Sequence, residues 1–270
     1  QDINPTIYQL GCNIHNINFK RSPLKFQNYK AYKKLKRLIV ENKYDIVHTH
    51  TPVASVCVRI ACRKMKNVYV VYTAHGFHFY NGAPLKNWLF YYPIEKWLSK
   101  YTDLLITINS EDYNRGRTFS AKKVVYIPGV GIETKNFINL NVSKEAMRNN
   151  LGISDNQILL LSVGELSKRK NHEIIIRAIS KLNNPNIVYC ICGQGYLKKY
   201  LLELAKKCNV NLKLLGFRND VAQIYQAADV FVFPSLHEGL PVALMEAMTA
   251  GLPIVCSNIR GNTDIISNGQ

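Results

Sequence analysis

Short apolar runs alternate with helical segments along this chain, in two series separated by Pro128-Gly129-Val130-Gly131. Strands are predicted at Asp45–His48, Val68–Tyr72, Asp103–Ile108 and Val124–Ile127, with helices at Phe26–Glu41, Val53–Met65, Pro84–Lys100 and Ser110–Thr118. After the breaker and a polar stretch to about Val142, strands are predicted at Ile158–Val163, Ile187–Cys192, Leu212–Leu215, Val230–Phe233 and Pro253–Cys256. Their helices fall at Ser143–Asn150, Asn171–Leu182, Gly195–Cys208, Asp220–Ala227 and Pro241–Ala250. Strands alternating with helices imply parallel sheets covered on both faces. Two such series imply two α/β domains, residues 1–137 and 138–270, with ligands expected in the cleft between them.

The size supports this reading: 270 residues, 47% of them apolar, can fill one large core or two ordinary ones. No segment has the apolar length needed to cross a bilayer, and no charged-then-apolar leader pattern is visible. The seven cysteines are odd in number and scattered. Cys190 and Cys192 alternate within a strand, and Cys57 and Cys62 sit in a helix among apolar neighbours. That is core usage, not a disulfide or zinc framework, and it suits a reducing cytoplasm.

The formal net charge of +17 predicts an acidic partner: nucleic acid, anionic lipid or a phosphorylated ligand. Much of it is local. Lys20, Arg21, Lys25, Lys30, Lys33, Lys34, Lys36 and Arg37 have no acid among them, while Ala31, Tyr32, Leu35, Leu38 and Ile39 recur at helical spacing. This basic amphipathic helix docks its apolar stripe on the domain and offers its lysines to water or to a lipid surface.

Chemistry concentrates at the predicted carboxyl ends of strands. Glu238 follows Val230–Phe233 on a strand-to-helix loop, and Glu246, after seven intervening residues, lies inside the next helix. Ligands of open α/β sheets bind at this edge, and a helix N-terminus there favours an anion. Gly164, Lys168, Arg169 and Lys170 follow Ile158–Val163. Three consecutive cations opening a helix form a diphosphate site or a solvated basic loop. Cys192-Gly193-Gln194-Gly195 lets a ligand approach the backbone, and Asp220 is placed as an N-cap. In the first domain, His48-Thr49-His50 ends one strand and His75-Gly76-Phe77-His78 follows another. His-x-His on a strand can be a metal pair, but no carboxylate or third histidine accompanies it in sequence.

The run from Pro234 to Val255 resembles the E-x7-E signature of retaining family 4 glycosyltransferases of the GT-B fold. Thr73-Ala74-His75-Gly76-Phe77-His78-Phe79-Tyr80 resembles a segment of those that build capsule and exopolysaccharide. The resemblance extends from Arg21-Ser22-Pro23 to Arg260-Gly261-Asn262. It implies two Rossmann-like domains facing a cleft, and transfer of a sugar from a nucleotide donor, a UDP-sugar, to a lipid-linked or polysaccharide acceptor with retention. Glu238 would hold donor-sugar hydroxyls and steady an oxocarbenium-like transition state, without being a nucleophile. Glu246 would hold the ribose, and Lys170, helped by Lys168 or Arg169, the departing diphosphate. His75 would lie beside the transferring sugar, with His50 and His78 on the acceptor side. Gly164, Gly193, Phe217, Arg218, Gly239 and Leu240 would line the donor pocket.

No metal or other cofactor is expected, and the expected location is the inner face of the cytoplasmic membrane, held by its anionic surface. One departure stands out. Where the family carries arginine, this chain has Glu165, which cannot bind phosphate. Lys168 or Arg169 replaces it, or Glu165 turns away and pairs with Lys170. Both ends look short against the family, lacking an opening strand with its glycine-rich loop and the closing strands and helix. The rival readings are another GT-B nucleotide-sugar enzyme, such as an epimerase or phosphorylase, and a non-catalytic basic protein binding membrane or nucleic acid. The first conflicts with E-x7-E. The second leaves Glu238 and Glu246 unexplained, and basic residues interleaved with aromatics on an RNA-binding motif are missing.

Overall fold

The computed structural model describes residues 11–20, 25–137, 140, 142–267 and 269. Arg21 of the basic run lies outside them, as does the Arg21-Ser22-Pro23 end of the resemblance. The chain forms two compact units: residues to Thr107 with Glu111–Ile127, and Ile108–Ser110 with Pro128 onward. Residues 128–137 thus pack with the second unit, so the chain changes unit nearer Pro128 than the expected 137/138 division.

The first unit holds β1 (Ile46–Thr49), β2 (Tyr69–Ala74), β3 (Leu104–Thr107) and β4 (Lys123–Tyr126), all parallel and neighbouring in chain order. Helix α1 (Phe26–Asn42) precedes β1, and α2 (Pro52–Cys62), α3 (Leu85–Ser99) and α4 (Ser110–Gly116) make the crossovers. Crossovers of one hand that always step the same way put their helices on one face of the sheet. Helix α1 packs on α2, and α2 on α3, so the three share that layer. The predicted stripe of α1 is the buried one: Ile39 packs with Val58, Ala61, Cys62 and Val70, with Tyr32 and Leu35 against them.

The second unit is built from β5 (Ile158–Val163), β6 (Ile187–Cys192), β7 (Asn211–Gly216), β8 (Val230–Phe233) and β9 (Ile254–Cys256), in the spatial order β7-β6-β5-β8-β9. Its helices are α5 (Lys144–Leu151), α6 (His172–Leu182), α7 (Lys198–Lys207), α8 (Val221–Ala227) and α9 (Val242–Thr249). Every residue of β6 is buried, and its side chains alternate between two cores. Val188, Cys190 and Cys192 join Leu159, Leu161, Phe231 and Phe233 on one face. Ile187, Tyr189 and Ile191 join Ile176, Leu201 and Val232 on the other. A strand covered on both faces needs this continuous apolar run.

The order of strands reverses direction between β5 and β8, and this crevice at a sheet's carboxyl edge is where doubly wound folds take ligands. Two differences from expectation have a clear physical reason. Helix α7 starts at Lys198, not Gly195, because residues 195–197 form a turn whose Leu197 N–H donates to the Leu166 carbonyl, 3.1 Å. Asp220 occupies the N-cap place of α8 without capping it. Its carboxylate takes the Arg218 guanidinium through two bonds, 2.7 and 2.5 Å, which also holds its pKa below the usual range. A paired, charge-assisted contact outcompetes a backbone N–H.

Candidate functional site

The crevice between β5 and β8 is bounded by the loops that follow those strands. The loop after β5 runs through Gly164 and a 3₁₀ turn at Lys168–Lys170, and Asn171 turns it into α6 from a left-handed conformation at φ 52°. The loop after β8 carries Pro234 to Pro241. The Leu236 N–H donates to the Arg169 carbonyl, 2.8 Å, and ties the two together. Glu238 is buried there, and its Oε1 accepts from both Lys170 Nζ, 2.8 Å, and Arg169 Nη1, 2.6 Å. The Lys170 ammonium also sits 4.4 Å from the centre of the Phe233 ring. Burial pushes its pKa down, and Glu238 partly opposes this.

One carboxylate thus faces two cations, and the surplus positive charge suits an anion. Lys168 and Glu165 are both exposed. Arg169, and not Lys168, thus joins Lys170 on Glu238, and no Glu165–Lys170 ion pair is formed among the described residues, because Lys170 is engaged by Glu238. The Ser167 and Ser235 hydroxyls, one on each loop, are buried without a partner among the described residues.

Glycines fix these loops by close approach. A Cβ on Gly164 would lie 2.9 Å from Lys170 Cε, and one on Gly193 would strike the Gly164 carbonyl. The Gly164 N–H donates to Cys192 O, 2.9 Å, and the Gly193 N–H to Gly216 O, 2.7 Å. Phe217 and Arg218 follow Gly216 at the same sheet edge. Phe217 is 74% exposed, and Arg218 is held by Asp220. Gly239 and Leu240 follow Glu238 on its loop.

Glu246 is the fifth residue of α9. Its Oε2 lies 3.0 Å from the Tyr225 hydroxyl, which lies equally close to the Ala243 carbonyl and shares one hydrogen between them. Burial, then Glu246, raises the Tyr225 pKa, so the phenol stays protonated and orients the carboxylate. No spacing pattern points to this partner, 21 residues away.

A second unforeseen group is His172, at the start of α6. It is buried, with Nδ1 3.1 Å from the Tyr189 hydroxyl and Nε2 3.3 Å from the Glu165 carbonyl. Neutral imidazole offers one N–H and one lone pair, which fits a carbonyl on one side and a hydroxyl on the other. Burial lowers its pKa to about 4. The unfolded chain, near 6.5, binds the proton more readily, so this contribution is full above about pH 6.5 and is lost as pH falls towards 4. The loss amounts to about 3 kcal/mol at most. His172→Gln should show a shallower fall in the denaturation midpoint between pH 7 and pH 4 than the unmodified protein. An unchanged slope would assign the acid sensitivity to other groups.

In the first unit, parallel register brings the ends of β1 and β2 together. His50 Nδ1 lies 3.0 Å from His75 Nε2, the His48 and His50 rings are 4.3 Å apart, and His48 Nε2 meets Thr73 Oγ1 at 2.8 Å. Burial first, then the neighbouring imidazoles, lowers the pKa of His48 and His75. Among the described residues no group of three His, Cys, Asp or Glu side chains has the arrangement to hold a metal. His78 goes elsewhere and stacks on Tyr91 of α3, 4.6 Å between centroids. The loop bearing both histidines is anchored by buried Phe77 and Phe79. It is also clamped by two acids of α4: Asp112 accepts the Phe77 N–H, 2.9 Å, and Glu111 the Asn81 N–H, 2.6 Å.

Residues 143–270 match the family described as glycosyl transferases group 1, and residues 3–109 that described as glycosyl transferase 4-like. The chain is 38% identical over 264 residues to a putative glycosyltransferase, EpsD, of Bacillus subtilis, covering 94% of this chain and 69% of the relative. It is 35% identical over 255 residues to the UDP-Gal:alpha-D-GlcNAc-diphosphoundecaprenol alpha-1,3-galactosyltransferase of Escherichia coli, covering 90% and 65%. The chain therefore spans about two thirds of these relatives. Among solved structures, Anabaena HepE in complex with UDP and glucose superposes with a TM-score of 0.76 at 19% identity, covering 92% of this chain and 68% of that one. This is a likeness of fold, the parallel α/β architecture of the GT-B class. With both units matched and the EpsD likeness running nearly end to end, the chain belongs to the group 1, or family 4-like, glycosyltransferases.

Proposed function

We propose that this chain belongs to an enzyme that moves a sugar from a UDP-sugar to a lipid-linked or polysaccharide acceptor in surface polysaccharide synthesis, with retention and without a metal. The observation that carries the reading is the Lys170–Glu238–Arg169 cluster at the β5/β8 crevice. Its surplus cation suits a diphosphate, and its carboxylate suits sugar hydroxyls. As the diphosphate departs, Lys170 and Arg169 are already aimed at the growing charge, the preorganised electrostatics that enzymes use in place of solvent. Glu238 stabilises the positive charge left on the sugar ring. His75, in contact with His50, stands at the carboxyl edge of the first sheet to orient the donor sugar. The diphosphoundecaprenol substrate in the name of one relative supports a lipid-linked acceptor. The basic α1 surface supports a peripheral position on the cytoplasmic face of the membrane, and no described helix is long and apolar enough to cross one.

Product analysis with a panel of nucleotide sugars and an undecaprenyl-diphosphate saccharide tests the reading. Transfer from a UDP-sugar with an α-linked product from an α-linked donor is expected, and activity should survive a strong chelator. Complete loss in EDTA, restored by manganese or magnesium, would overturn the metal-free assignment. Glu246→Gln should raise donor KM more than it lowers kcat, because a ribose contact is equal in ground and transition states. A large fall in kcat at constant KM would remove Glu246 from that role.

A further inference from the structure

A buried hydrogen-bond chain runs beneath the donor loops. The Glu165 carbonyl lies 3.3 Å from His172 Nε2, and His172 Nδ1 lies 3.1 Å from the Tyr189 hydroxyl. Tyr189 Oη is in turn 2.8 Å from Ser162 Oγ, which donates to the Val232 carbonyl, 2.6 Å. The chain thus joins the loop after β5 to β8, by way of α6, β6 and β5 itself. Ser162, Tyr189 and His172 are all buried, so they must satisfy one another.

They are one hydrogen short. Four links need four hydrogens, one in each. Ser162 and Tyr189 bring one apiece, and burial pushes the Tyr189 phenol pKa far up, so its hydrogen stays. A neutral imidazole brings a third. However the two hydroxyls turn, one link is left with two facing lone pairs. An imidazolium, with an N–H on each nitrogen, fills all four. Burial keeps His172 neutral; the Glu165 carbonyl opposes this, and the charge of Lys170 reinforces it.

Lys170 connects this chain to the chemistry. It stands two residues before His172, and the reading above gives it the diphosphate. The other charged and titratable neighbours are occupied or turned away. The Glu165 carboxylate is exposed, Glu173 is taken by Tyr200 and Arg177, and Arg169 and Glu238 hold each other. An anion on Lys170 therefore offsets the charge that disfavours the imidazolium.

We infer that His172 is a positioning residue whose protonation is coupled to donor binding: as a diphosphate settles on Lys170 and Arg169, a proton from solvent joins the imidazole, completes the chain and fixes the loop after β5 to β8. This rests on the diphosphate reading above and adds a proton to it. The proton comes from the buffer and ends on the imidazole. The diphosphate diester of a UDP-sugar has none to exchange.

Calorimetric titration with UDP-glucose and UDP-galactose at pH 5, in two buffers of different ionisation heat, reads proton uptake directly. The free imidazole titrates at about 4. Raised by about one unit on binding, it takes up about 0.4 proton per donor, and affinity tightens about twofold between pH 7 and pH 5. His172→Gln keeps a donor and an acceptor but cannot take a proton, so it should abolish both effects. Tyr189→Phe leaves two links and two hydrogens, so uptake should fall although the histidine remains. Thermal melts at the same pH check that each variant is folded, and the uptake by the unmodified protein is decisive even if a variant is not. UDP-sugar binding without uptake, or uptake that His172→Gln retains, would overturn the inference. Failure of both UDP-sugars to bind would bring down the diphosphate reading itself, and this inference with it, so the two failures are distinct results.

Discussion

Lys170→Ala should lower kcat/KM by about 10²–10³-fold while the protein stays folded, the effect of removing one preorganised donor from a developing oxyanion. The reason is positional. Lys170 is buried at the end of β5's loop, its stem runs past Gly164 with no room for a Cβ there, and its ammonium is fixed by Glu238 and the Phe233 ring. Glu238 keeps Arg169 when the lysine is gone, so the buried carboxylate is not left alone and the melting temperature should move by only a few degrees. Glu165→Ala, by contrast, removes an exposed carboxylate and should change activity by less than about threefold, as for most surface substitutions. Steady-state kinetics on the two variants, with thermal melts as the folding control, decides this. A more damaging Glu165→Ala would mean that the departure from the family's arginine is itself functional and that the loop operates by another route.

The second large effect is expected at Glu238. Glu238→Gln keeps the shape but removes the negative charge, leaving Lys170 and Arg169 unopposed. Donor binding should hold or tighten, because the diphosphate then meets two free cations. The positive charge forming on the sugar ring loses its counter-ion, so kcat should fall about 10²–10³-fold. Glu246→Gln is predicted to do the reverse, moving KM more than kcat. Measured side by side, the two carboxylates should therefore separate. If both variants moved only KM, Glu238 would be a binding group and the charge on the ring would be stabilised elsewhere.

The architecture was legible because it depends on local pattern. The run Ile187–Cys192 reads as a strand buried on both faces, and it is one. The residues named for the donor site fall on the loops after β5, β6, β7 and β8, all at one sheet edge, with Glu246 inside α9. Which side chains meet was less legible. That Arg169 and not Lys168 joins Glu238 depends on the 3₁₀ turn that sends Lys168 into solvent. Tyr225 reaches Glu246 from a neighbouring helix, and no spacing rule relates them. His172 carries no signal in the sequence, and only burial beside Tyr189 makes it neutral. Asp220 had the sequence position of a cap, yet a guanidinium two residues back claimed it. Tertiary contacts of this kind are set by the path of the backbone, which periodicity does not encode.

The glycine packing of the second unit has a consequence for how such an enzyme can change its substrate preference. Where the Gly193 Cα faces the Gly164 carbonyl, any side chain would have to displace main chain. No side chain fits at Gly193 without moving main chain, so this contact leaves no room for variation. Variation is left to positions that carry side chains into open space, and Phe217, beside Gly216 and mostly exposed, is the foremost of them. A library randomised at Phe217 should stay folded and yield altered donor preferences. One randomised at Gly164 or Gly193 should return almost nothing but glycine.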